Sequence, residues 1–352
     1  MKRVSLALGL GLGLAAAGVL VLPPGWQHWQ LLAAAEDPVA LSNMRLRDTL
    51  SAARLGVEID SAIAARDSEL ADSLVALAFE RGIPVAPEQQ SRLQVLKDGA
   101  LGQAVADFGH GFVAGDRESG AAFAGALVGD VTGYGDLRDL ALEGRKWLGG
   151  EGADATVLAI AAAGLAISAA TWASFGGALP ARNGLSAVKA ASKAKLLSPA
   201  LTANLGRAAA GAIDRPALAA SLAAASRFDV AAVRLAAGGI VKPAAMARFA
   251  TFGQDAGAVY ARTGQRGLRQ VLNLADDAGD IGKAAKLGAA KGTTTRGILK
   301  VLGRGALVLG ALSLSTVSWM LAIIGYAIAL AMLAQRLGWW LGRRLFPRRA
   351  PA

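Results

Sequence analysis

The chain predicts an all-α fold: a membrane-anchored helical protein with short amphipathic helices between terminal transmembrane helices. Three observations lead there. Apolar residues make up 54% of the 352, mostly Ala, Leu, Gly and Val, while aromatics are only 5%; Ala and Leu are the strongest helix formers. Residues 4–22, 155–181 and 305–335 contain no Asp, Glu, Lys or Arg. No alternation of apolar and polar residues persists long enough to read as a strand.

Charge is laid out unevenly between the uncharged stretches. Residues 23–154 hold 11 basic and 20 acidic residues, a net of −9. Residues 182–304 hold 19 basic and 6 acidic residues, a net of +13. The 44 glycines predict short helices, close approach of helices, or both.

In chain order, residues 1–22 read as an N-terminal signal anchor. Lys2 and Arg3 precede a stretch close to the length that crosses a ~30 Å hydrocarbon core. No small-residue cleavage site closes the run directly, so an uncleaved anchor is expected, with Trp26 and Trp29 in the interfacial belt beyond it. Residues 23–104 read as an acidic helical hairpin region. Apolar residues at helical spacing mark helices over 59–66 and 68–81, with Asp67-Ser68 as an N-cap, Gly82-Ile83-Pro84 as a stop, and a further helix opening at Pro87. Residues 105–181 form a Gly/Ala-rich central segment with an apolar helix over 155–178. Residues 182–304 are a basic, Ala-rich helical region, with breaks expected at Gly238-Gly239, Pro243, Gly253 and Gly292. Residues 305–335 read as a C-terminal transmembrane segment. Residues 336–352 are a basic tail, in which Trp339 and Trp340 are followed by Arg343, Arg344, Arg348 and Arg349.

Three simple crossings would place that arginine-rich tail outside, against the positive-inside rule. Either 155–181 does not cross, or 305–335 turns back as a re-entrant pair. The sequence leans to the second, which puts 182–304 on the cytoplasmic side facing anionic lipid and 23–150 in the periplasm. The N-terminus is expected in the cytoplasm of a bacterial cell and the protein in the inner membrane.

The absence of cysteine excludes disulfides, thiolate metal sites and cysteine nucleophiles. Two distant histidines make a His-rich zinc site unexpected. No glycine-rich stretch has the spacing of a phosphate-binding loop, so no cofactor or metal is expected. The segment Asp130-Val131-Thr132-Gly133-Tyr134-Gly135-Asp136 is similar to a potassium-channel filter, but Val131 stands at the filter's threonine position and a glycine-rich turn is expected instead.

The densest polar constellation comprises Asp130, Asp136, Arg138 and Asp139, with His110 upstream. Carboxylates beside an arginine can bind a cation or exchange protons; the plainer expectation is a helix start, with Asp130 or Asp136 as cap and Arg138 paired to a carboxylate. His110, flanked by Asp107, Asp116 and Glu118, is expected in a polar loop.

The run Gly135-Asp136-Leu137-Arg138-Asp139-Leu140, followed by Gly149-Gly150-Glu151 and an Ala-rich apolar segment, resembles a set of uncharacterised bacterial membrane proteins. More weakly, it resembles the pre-toxin segments of polymorphic toxins. The first resemblance implies no activity; the second implies a membrane-active role. The leading functional expectation is a non-enzymatic envelope component acting through protein or lipid contacts. Anionic lipid would meet 182–304 and the basic tail; the protein partner is undetermined, and nucleic acid is not expected for want of a binding motif. The alternatives are a pore-forming or toxin-like protein and a membrane-bound hydrolase using residues 130–139.

Overall fold

A computed structural model describes residues 2–99, 134–173, 179–226, 239–309 and 314–345. The described residues are helical apart from turns, two short 3-10 turns and one isolated bridge between Ile213 and Val241. They divide into two compact units, Pro38–Val308 and the terminal pair Met1–Asp37 with Leu309–Ala352.

The larger unit begins with α2 (Pro38–Thr49), α3 (Ala52–Ala64), α4 (Ser68–Glu80) and α5 (87–99). Their ends are written locally. The Ser51 side chain accepts from the backbone N–H of Arg54 at 3.2 Å, and Asp67 accepts from Leu70 at 3.1 Å. Gly82, at φ 66°, takes the left-handed conformation that ends α4. These boundaries agree with the sequence reading to within a residue or two, save that α3 starts earlier.

Next come α6 (Tyr134–Gly149), α7 (Ala155–Ala173) and α8 (Leu179–Lys193). Asp154 caps α7 by accepting from the N–H groups of Thr156 and Val157, each at 3.0 Å. Residues 157–163 of α7 are all buried, and the helix packs against α6 and α8 and against α9 (Pro199–Ala212). α10 (Arg215–Ser226) follows and packs on α6.

The last third holds α11 (Pro243–Leu274), α12 (Ala278–Lys291) and α13 (Thr295–Leu302). α11 is interrupted at Gly264, whose φ of 68° and ψ of −175° are open to glycine at little cost. α8 and α11 cross backbone to backbone. A Cβ at Gly184 would collide with the Gly253 carbonyl, and one at Gly257 with the Pro180 carbonyl. Gly253 is therefore a contact residue inside a helix rather than the break the sequence suggests, whereas Gly292 (φ 52°) and Pro243 do mark helix boundaries. α13 lies as closely on α4: the Gly297 N–H donates to Ser73 Oγ at 2.8 Å.

The uneven charge layout becomes internal complementarity. Arg296 grips Asp67 through two hydrogen bonds of 2.9 and 2.7 Å and reaches Glu69 at 3.2 Å. Lys291 pairs with Glu80 at 2.5 Å and Lys300 with Glu58 at 3.6 Å. Acidic N-terminal helices are thus folded onto basic C-terminal ones within one body. Residues 157–163 of α7 are covered by protein, in keeping with the alternative in which 155–181 does not cross, and helices from both sides of it share one core.

The terminal unit consists of α1 (Lys2–Ala33) and α14 (Leu314–Leu345) packed together. α1 continues through Pro23 and Pro24, beyond the expected end at residue 22. The two helices run antiparallel, with Gly18 against Tyr326 and Gly25 against Ile323, where a Cβ on either glycine would overlap the facing side chain. The two glycines lie two turns apart on one face, the arrangement that lets apolar helices approach closely. α14 is continuous, which corrects the re-entrant alternative for 305–335. Ala306 and Leu307 are buried in the larger unit, so the apolar run expected as one segment is divided between two bodies. Among the described residues one stretch, Val317–Trp339, is long and apolar enough to cross a membrane, and none of its most apolar window is buried.

Candidate functional site

Two acidic residues one helical turn apart on α6, Asp136 and Asp139, meet three cations of α8. Arg182, Lys189 and Lys193 lie at i, i+7 and i+11, which places them on one face of that helix. Lys189 Nζ donates to Asp136 Oδ1 and stands 3.3 Å from Asp139 Oδ2. Lys193 Nζ donates to Asp139 Oδ2 at 2.6 Å. The Arg182 guanidinium lies 3.7 Å from Asp136 and also donates to the Gly164 carbonyl of α7 at 3.4 Å.

The centre of this lattice is buried. The side chains of Asp136, Asp139, Arg182 and Lys189 are each no more than 4% exposed. Gly164 makes the space, since a Cβ there would overlap the Asp136 carboxylate. The uncharged α7 thus lies directly against the ionic cluster.

Burial alone would raise the Asp139 carboxyl. The hydrogen bond from Lys193 and the charges of Lys189, Lys193 and Arg138 outweigh it and hold the group below the usual carboxylate range. One turn further along α6, burial likewise works to raise Glu143, but hydrogen bonds from Lys146 (2.8 Å) and the Asp154 N–H (2.8 Å) lower it. Glu143 thereby ties the end of α6 to the cap of α7.

Of the residues singled out from sequence, Asp136 and Asp139 come together in this lattice. Arg138 sits at its exposed rim, 3.3 Å from Asp139, the carboxylate pairing expected for it. Asp136 lies in the first turn of α6 and pairs with lysine and arginine side chains. Asp130 and His110 lie outside the described residues. The cationic half of the site, Arg182, Lys189 and Lys193, was missed; its signal was three cations on one face of an otherwise Ala-rich helix.

Chemically, two carboxylates enclosed by three lysine and arginine cations form an ionic clamp. Removing a buried member would weaken the compensation of the charges left behind. Among the described residues no group of three or more His, Asp or Glu side chains is arranged to hold a metal ion. Comparison with family models, curated proteins and solved structures finds no match.

Proposed function

We propose that this chain is an inner-membrane envelope component of a bacterial cell that acts through contacts rather than catalysis. In this reading residues 38–308 are displayed on the periplasmic side by an antiparallel pair of terminal helices. The observation that carries it is the apolar stretch Val317–Trp339, whose most apolar window holds no buried residue, ending at Trp339 and followed by Arg343. Its 23 residues extend about 35 Å at 1.5 Å each, enough for a ~30 Å core.

Antiparallel pairing brings Lys2 and Arg3 to the same end as Arg343 and Arg344. With both basic ends cytoplasmic, the positive-inside rule is met by two crossings. Everything from 38 to 308 then shares one side, in keeping with the ion pairs that join its acidic and basic helices. Basic residues of 182–304 are partly occupied by internal carboxylates, which lowers the weight on that region as a lipid-binding surface. The enclosure of Asp136 and Asp139 by cations supports an architectural role for them over a hydrolytic one.

The test is fractionation followed by reporter fusion. The intact chain is expected in the ultracentrifuge pellet and to resist alkaline carbonate. A phosphatase fused after residue 240 is expected to be active, and a green fluorescent protein fused after residue 352 to fluoresce. Recovery of the chain in a detergent-free supernatant would overturn the membrane assignment. A cytoplasmic reporter signal at 240 would overturn the orientation alone.

A further inference from the structure

Within the larger unit a second polar site shares no residue with the lattice around Asp136. The part of α11 after Gly264 presents Arg266, Arg269, Gln270 and Asn273 at i, i+3, i+4 and i+7, a single helical face. α13 presents Arg296 and Lys300 one turn apart. The two faces meet over a cleft of about 490 Å³, with leucines lining its apolar part. That volume lies within the range of small-molecule sites, roughly 300–1,000 Å³.

Charge in the cleft is unbalanced. Its lining carries four cations and one carboxylate, Asp67. Arg296 is committed to Asp67 and Glu69, Arg266 lies 3.4 Å from Asp67, and Lys300 reaches Glu58. Arg269 has no ion pair or hydrogen bond among the described residues. Arg296 Nε, a donor, is buried and lacks a hydrogen-bond partner there. Buried polar atoms in a native fold are usually satisfied by protein, water or a ligand. Clustered guanidinium groups match the geometry of phosphate oxygens, and a cleft of one sign concentrates the opposite charge.

We propose that this cleft binds a phosphate-bearing anion, with Arg269 as the free cation that meets it and Arg296 as the buried anchor. The cleft exceeds a bare phosphate in volume, and its leucines suit an apolar group attached to the phosphate. A soluble organophosphate and a lipid headgroup both have that chemistry.

The test uses the full chain in neutral detergent and isothermal titration calorimetry. The probes are inorganic phosphate and dihexanoyl phosphatidic acid, with dihexanoyl phosphatidylcholine as zwitterionic control. Arg269→Gln removes an exposed side chain and is expected to leave folding intact, which circular dichroism checks. It should weaken binding about tenfold, the loss of one charge-assisted contact, while Arg207→Gln on another helix leaves affinity unchanged. Binding of inorganic phosphate would support a site for soluble phosphates; binding of phosphatidic acid alone would support a lipid headgroup. The proposal is overturned if neither anion binds, if the zwitterion binds equally, or if Arg269→Gln binds like the parent chain.

Discussion

Helices α7 and α14 both carry long uncharged apolar stretches, the first rich in Ala and the second in Leu, Ile and Met, and they differ in exposure. Residues 157–163 of α7 are enclosed by protein on every side, whereas Leu321, Ile324, Ile328 and Met332 of α14 are exposed. The difference lies in their neighbours. α7 follows a helix bearing Asp136 and precedes one bearing Arg182 and Lys189, and its Gly164 leaves room for that ionic cluster. Among the described residues, α14 packs on the small-residue face of α1. Absence of charge marks a segment as shielded from water; which shield it has depends on residues elsewhere in the chain.

The largest effect should come from placing a charge in each helix. Ile160→Arg puts a guanidinium among buried alanines and leucines, a cost above about 4 kcal/mol. Limited proteolysis should then find no resistant fragment. Ile324→Arg on the exposed face of α14 should leave thermal unfolding of the larger unit unchanged. It should lower the membrane-bound fraction, since an arginine at mid-bilayer costs about 2.5–3.5 kcal/mol on insertion scales. If both substitutions unfold the protein alike, the contrast between the two helices is wrong.

Asp136→Ala ranks next. It removes the buried carboxylate nearest Arg182 and leaves Lys189 with Asp139 alone, and the loss should be about 3–5 kcal/mol in denaturant unfolding. Arg138→Ala, at the exposed rim of the same lattice, should cost less than about 1 kcal/mol. Equal losses would mean that burial does not distinguish the centre of the lattice from its rim.

Acid should act on the larger unit first. At Asp67 and Glu80, as at Asp139, burial works to raise the carboxyl, but hydrogen bonds and charges from Arg296 and Lys291 hold it low. A depressed folded-state value adds stability that is present in full above the ordinary carboxylate range near pH 4. That stability is lost as pH falls through the folded values. The melting temperature should be flat near neutrality and fall below about pH 4, while the helicity of α1 and α14 persists in detergent.

The smallest effect belongs to Asp255 on α11. Burial raises its carboxyl, and Lys286 offsets this only in part. The charged form therefore costs stability above the raised value, and the cost fades on acidification. Asp255→Asn should raise the melting temperature slightly at neutral pH and not at pH 3. A neutral-pH decrease would reverse the sign assigned to this group.

Local signals were legible in the sequence. Asp67 and Gly82 bracket α4 because a side-chain acceptor and a left-handed glycine act within a few residues of themselves. The polar constellation was half legible: Asp136 and Asp139 stood out, but Lys189 and Lys193 follow about 50 residues later and only the fold brings them together. The block of negative charge followed by a block of positive charge suggested two compartments. It was folding complementarity instead, and Arg296 with Asp67 shows why a net charge along the chain cannot separate the two. The run 305–335 failed as a single segment for a related reason: Leu307 and Leu321 are equally apolar, and one faces a protein interior.

The clasp between Asp67 and Arg296 also sets a timetable. Its halves are 229 residues apart in the chain, a gap of roughly 10–45 s at synthesis rates of about 5–20 residues per second. Throughout that interval the early helices lack the last element that closes over them, and their apolar faces are open to proteases and chaperones. A ribosome halted before Thr295 would release a polypeptide with nearly every helix already made and its seam unshut.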